Sequence, residues 1–165
     1  MHFPAHLPCV VRLDFGPEAE AGIATLLPPR VGETYPHFVP AVDADGNERS
    51  GIRLPDVSVP LATYTGWNMR HPAMGAPDHL MGLMGATLPF APTQREREAV
   101  GDPRRSIAER YPSIADYLER VRKAAEALVA EGYVLGDDVD AVVEQAAHRY
   151  ELLASHMPAA QAVGG

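Results

Sequence analysis

The sequence predicts an α+β fold, a small antiparallel, turn-rich β portion followed by a C-terminal helical hairpin. Three observations predict it. Residues 7–70 run as short apolar stretches punctuated by proline and glycine, the pattern of short strands and turns. Residues 106–156 carry apolar side chains at helical spacing. Strands and helices do not alternate along the chain, so a parallel sheet with crossover helices has no basis in it. The 165 residues are expected to form a single module: β-rich over 7–70, an irregular connector over 71–105, helical over 106–156 and a frayed tail over 157–165.

In chain order, Cys9 to Phe15 has strand composition and stops at Gly16-Pro17. Gly22 to Leu27 is a second candidate strand, stopped by Pro28-Pro29, and His37 to Val42 a third. Pro40 lacks an amide hydrogen and places that third strand at an edge. Asp45-Gly46 then predicts a tight turn with positive φ at both central residues, and Glu48 to Leu54 is the return arm. Asp56 to Thr65 reads as the best-defined strand, with Val57, Val59, Leu61, Thr63 and Thr65 on one face and Pro60 marking an edge or bulge. In the second half, Ser113 is placed to cap a helix whose stripe is Ile114, Tyr117, Leu118, Val121, Ala125, Leu128 and Val129, with Gly132 ending it. A second helix starts near Asp137 or Asp138, where acidic groups suit the helix dipole. Its stripe is Val139, Val142, Val143, Ala146, Tyr150 and Leu153, and Pro158 closes it. The short link from Tyr133 to Gly136 forces the two to pack as a hairpin or to diverge onto a shared surface.

Composition bounds the function. At 46% apolar residues the chain has enough material for a core, so it folds rather than staying disordered. A net charge of −8 argues against nucleic acid or an anionic membrane as partner. No stretch approaches the roughly 18 apolar residues of a membrane span. The opening MHFPAHLPCVV lacks a cationic segment and does not read as a signal peptide, so a cytoplasmic location is the default, although the compartment itself is not legible. Cys9 is the sole cysteine, which rules out an internal disulfide.

Residue patterns for chemistry are sparse. None of Ser50, Ser58, Ser106, Ser113 and Ser155 sits in G-x-S-x-G, the sharp strand-to-helix turn that exposes a nucleophilic serine. Asp43-x-Asp45-x-Asn47 resembles a calcium loop in its first positions, but glycine falls fourth and Leu54 stands where the bidentate glutamate belongs, so a hairpin is the better reading. The seven histidines show no H-E-x-x-H pair, and neither a metal nor a cofactor is expected. Met69, Met74, Met81 and Met84 read as core or interface filling. Arg95, Arg97, Arg104 and Arg105 read as a solvated, ion-paired surface that could also meet a substrate carboxylate.

The segments DADGN-x-x-x-GIRLP, PLATYTGWN and GDPR-x-SI-x-ERY carry a resemblance that spans roughly residues 12–152. They resemble the C-terminal portion of a bacterial α/β-hydrolase-domain family of longer proteins. The resemblance implies a presumed catalytic triad whose nucleophile elbow and histidine lie upstream of this stretch. No position here matches either, so no catalytic residue carries over, and the chain is not a complete α/β-hydrolase sheet. Its implied role is a C-terminal accessory or cap-like module of an esterase-like protein, not catalytic alone. It would partner an upstream hydrolase domain, or a second copy of itself, through an apolar face. Trp67 and Asn68, with Arg70 and His71, are the candidate substrate-binding residues, an aromatic and an amide suiting an apolar pocket with one polar anchor. The competing role for Trp67 is core anchor of the β half. Two alternatives stand beside this reading: a protein–protein interaction or dimerisation module, and a small enzyme using His71, Asp78 and His79 with Asn68.

Overall fold

The structure, a computed structural model, describes residues 10–36, 38, 40–75 and 79–155, with side chains to residue 153. The chain divides into two compact units, one of residues 40–68 and 82–165, the other of residues 2–39 and 69–81.

The first unit holds every buried residue among those described. Strand β3 (Ala62–Thr65) pairs antiparallel with a distant partner (Ala86–Pro89), in register Ala62↔Pro89 through Thr65↔Ala86. Helix α4 (Ile114–Ala130) starts at Ser113, whose Oγ accepts the Asp116 amide at 3.1 Å, and stops before Gly132 at φ +83°. Helix α5 (Val139–Ser155) follows a 3-10 turn at Gly136–Asp138. α4 and α5 pack together as the expected hairpin. The apolar stripes meet in one core. Tyr117, Val121, Ala125 and Leu128 are the buried face of α4, and Val142, Val143, Ala146, Tyr150 and Leu153 of α5 join Leu61, Phe90, Ile107 and Tyr111. The rings of Tyr111 and Tyr117 lie 5.0 Å apart edge to face, and those of Tyr117 and Tyr150 5.4 Å apart. Each large side chain so buried contributes roughly 1.5–3 kcal/mol of transfer free energy.

The second unit has one short ladder, β1 (Val11–Asp14) antiparallel to β2 (Arg30–Thr34), with a bulge between Val11 and Leu13. Strands β4 (Asn68–Met69) and β5 (Leu80–Met81) pair at the base of the loop between them, where the Arg70 amide donates to His79 O at 3.0 Å. The partner of β3 is β6. All the sheets are two-stranded and no closed or parallel sheet forms among the described residues, so the fold is α+β and an incomplete hydrolase fold.

Several expected elements form differently. Gly22–Leu27 is not a strand. Ala19–Ala21 makes a 3-10 turn ending at Gly22 (φ +81°), and the amides of Thr25 and Leu26 both turn back onto Phe15 O. The true partner of β1 is β2, whose RVGET sequence hides it because Gly32 and two charges dilute the apolar alternation. The strand expected from Asp56 begins at Ala62. Pro55 at the first helical position and Asp56 in the first turn favour a single helical turn, α1 (Pro55–Ser58). Around Asp45-Gly46 only Gly46 takes positive φ (+80°). The loop is wider than a two-residue hairpin, with the Asp43 carboxylate accepting the amides of Asp45 and Asn47, and its two arms meet in the single bridge Val42↔Glu48. His37 and Val39 of the third expected strand lie outside the described residues, as do Cys9, Pro158 and the tail. Thr93 and Ser106 cap two further short helices, α2 (Gln94–Ala99) and α3 (Ile107–Arg110).

Candidate functional site

The motif residues that stand out in the sequence converge, but into a buried clamp rather than an open pocket. In the DADGN loop, Asn47 is fully buried. Its Nδ2 donates to Ala62 O at 3.0 Å and its Oδ1 accepts the Tyr64 amide at 2.8 Å, which fixes the loop on β3. Asp43 Oδ2 accepts from Arg53 at 2.7 Å, and Asp45 pairs with Arg110. Burial raises the Asp43 pKa, but the Asn47 amide, Arg53 and the Asp45 amide outweigh it, and the group titrates below the usual carboxylate range.

In the GDPR-x-SI-x-ERY motif, Arg104 is buried. It grips Asp102 at 2.6 Å, Thr63 Oγ1 at 2.8 Å and Leu88 O at 3.0 Å. The guanidinium groups of Arg104 and Arg110 lie 5.1 and 4.2 Å from the centroid of the Phe90 ring. Glu109 takes Arg97 at 2.7 Å and the Ser106 hydroxyl at 2.7 Å. Those two bonds, with the Ser106 amide, hold its carboxyl down at about 2. Of the expected solvated, ion-paired arginines, Arg95 and Arg105 are exposed and Arg97 is half-buried and paired with Glu109, whereas Arg104 departs from the expectation, being buried on Asp102. The signal for part of this was present, since S-x-x-E at Ser106–Glu109 and T-x-x-E at Thr93–Glu96 are capping boxes and both form.

The side chains of the clamp are engaged with one another. Its carboxylates are ion-paired, and its serine hydroxyl serves a helix cap. Ser58 Oγ donates to Leu54 O and Ser113 caps α4. A depression of about 290 Å³ between the ends of α4 and α5 is lined by Arg122, Glu126, Val129, Gly136, Val139 and Asp140, and the 2.8 Å Arg122–Asp140 ion pair spans two of those residues. Among the described residues no three His, Cys, Asp or Glu side chains gather as metal ligands, and no helix is long and apolar enough to cross a membrane.

The four sequence-derived candidates fall in two places. Trp67 and Asn68 follow β3 in the first unit, both half-buried. Thr65 Oγ1, which donates to Trp67 O at 2.5 Å, and the Gly66–Gly85 approach hold the chain there. The aromatics of the core cluster are Phe90, Tyr111 and Tyr117, with Tyr150 packed against it, and Trp67 is outside that cluster. Arg70 and His71 stand in the second unit. Arg70 is half-buried, and the exposed His71 accepts the Ala73 amide on Nδ1 at 3.2 Å as cap of a 3-10 turn (Pro72–Met74). Asp78 lies outside the described residues.

The family model described as "Alpha/beta hydrolase domain" matches residues 8–144. The chain belongs to the alpha/beta hydrolase domain family. The match takes in the DADGN loop, β3, the arginine clamp and all of α4. No curated protein and no solved structure matches. Side chains of the family's motifs in this chain bond to β3, to β6 and to one another.

Proposed function

We propose that this chain is the accessory, cap-like module of an α/β-hydrolase-like protein and does not catalyse by itself. The parent reaction is hydrolysis of an ester or related acyl bond through a serine nucleophile supplied by a separate hydrolase domain. One observation carries the docking half of this reading. No described residue of the second unit is buried, while Leu13, Leu27, Val31 and Tyr35 around the β1–β2 ladder are 45%, 76%, 70% and 48% exposed. A two-stranded ladder without a covered face is marginal in water, so this one calls for a partner surface. The non-catalytic half is supported by the ion-paired clamp and the missing G-x-S-x-G. Trp67, Asn68, Arg70 and His71 are the residues proposed to face substrate, and neither nucleic acid nor membrane is proposed as a partner.

The test is a p-nitrophenyl acetate assay of the purified chain beside labelling with a serine-reactive fluorophosphonate. The expected result is no turnover above buffer and no label. Labelling of a serine, with turnover lost in its alanine variant, overturns the reading in favour of a self-contained enzyme.

A further inference from the structure

We propose that the tip of the α4–α5 hairpin is a docking surface for a cationic, amphipathic segment of another protein, one that sets an apolar side chain among lysines or arginines. The link between the two helices turns apolar groups toward water. Tyr133 is 56% exposed and Leu135 71%, on either side of the half-buried Val134. The backbone there is fixed: the Tyr133 amide donates to Leu128 O at 2.9 Å and the Asp138 amide to Leu135 O at 3.0 Å. The two side chains are therefore held outward by the turn itself, and little ordering is lost when a partner covers them. Gly136, the neighbour of Leu135, lines the depression of about 290 Å³ together with Val129 and Val139. That volume is near the lower end for a ligand pocket and suits one anchoring side chain.

Charge selects the occupant. From Ala124 to His148 the chain carries six carboxylates and no lysine or arginine. All six, Glu126, Glu131, Asp137, Asp138, Asp140 and Glu144, are exposed. The nearest cations in sequence are already paired, Arg122 with Asp140 at 2.8 Å and Lys123 with Glu119 at 2.9 Å. Asp137, Asp138 and Asp140 also suit the start of α5. That role does not require Tyr133 and Leu135 to face water, and an apolar pair with an acidic rim is what a basic amphipathic segment matches. A second copy of this chain would set like charges against each other, and a nucleic acid or an anionic membrane would do the same. A wholly apolar partner would desolvate carboxylates without supplying a counter-charge. The tip belongs to the first unit and the β1–β2 ladder to the second, so this surface does not rest on the accessory-module reading.

The experiment is fluorescence anisotropy of a labelled synthetic helical peptide, leucine on one face and lysine on the other, titrated with the full chain at low ionic strength. Saturable binding is expected. It should weaken about tenfold or more in Leu135→Ser, and likewise for a peptide with serine in place of leucine. The double variant Asp137→Asn, Asp138→Asn should bind more weakly and lose affinity less steeply as salt is added. Val31→Ser, on the ladder of the second unit, should bind as the parent does. Leu135 makes no core contact, so the urea midpoint of Leu135→Ser should match the parent, and if it falls the aspartate variant carries the test. The proposal is overturned by absence of binding, by unchanged affinity in Leu135→Ser at an unchanged midpoint, or by unchanged affinity in the aspartate variant. It is overturned equally if the serine peptide binds as tightly, which would leave charge attraction alone, or if a peptide with glutamate for lysine does. Loss of binding in Val31→Ser would place the peptide on the ladder and overturn it too.

Discussion

Phe90 shows how single side chains hold the first unit. Its ring is fully buried, with two guanidinium groups within about 5 Å of its centroid. Each of those guanidiniums is paired in turn, Arg104 with Asp102 and Arg110 with Asp45, so the charges are buried without being orphaned. The Glu109 carboxylate does the equivalent work beside them, joining Arg97 of α2 to the cap of α3. Its pKa is depressed from 4.5 to about 2, chiefly by the Arg97 hydrogen bond and then by Ser106. A depressed folded-state pKa means that this stabilisation is fully present above pH 4.5 and is lost as pH falls toward 2. Urea unfolding followed from pH 6 to pH 2.5 should therefore show a midpoint that drops below about pH 4.5, and the drop should be shallower in Glu109→Gln. An identical slope in that variant would remove Glu109 from the acid response. At the other end of the scale, burial pushes the Tyr111 hydroxyl up to about 12, and its bond to Pro60 O at 2.9 Å keeps it protonated at any ordinary pH.

Among the elements, the β3–β6 ladder depends on a glycine. A Cβ at Gly85 would stand 2.2 Å from Thr65 O, a backbone atom in the adjoining strand. Gly85→Ala should therefore force the Thr65↔Ala86 end of the ladder apart and destabilise the chain by about 1–3 kcal/mol. Gly82→Ala, where nothing lies within 4 Å, should stay within about 0.5 kcal/mol of the parent. Urea midpoints of the two variants decide it, and equal midpoints would mean that the ladder's end tolerates the displacement. This ladder also marks the limit of what the sequence discloses. α4 and α5 are legible because each is 17 residues long, with seven and six apolar positions in phase, and α4 adds a cap and a C′ glycine. β3 and β6 are four residues each and lie more than twenty positions apart, so their pairing has no local trace. Arg104 looks like a surface residue until Thr63, Leu88 and Asp102 surround it, and those neighbours come from three separate segments. The candidate site is legible to a similar degree. Trp67 and Asn68 are marked as an aromatic beside an amide, but that they belong to one compact unit and Arg70 and His71 to the other has no local trace in the sequence.

At the scale of the whole molecule, burial is distributed unequally. The first unit has a core of aromatic and branched side chains, and the second has none among its described residues. A ladder of four and five residues with Val31 70% and Leu13 45% exposed gains little from its own side chains, so its stability must be low when the chain is alone. Substituting such an exposed apolar residue with a charge should scarcely alter the chain's own folding, because no contact in the core is lost. Val31→Asp is therefore expected to leave the urea midpoint within about 0.5 kcal/mol of the parent. The same change should lower binding of the apolar dye ANS by the isolated chain, since it places a charge in the middle of the uncovered patch. Sedimentation velocity separates the two partners that such a face would suit. A monomer that takes up the dye leaves the face for a hydrolase domain, while a dimer that Val31→Asp dissociates assigns it to a second copy of the chain. A monomer that binds no dye would contradict both, because the face would then need no cover at all.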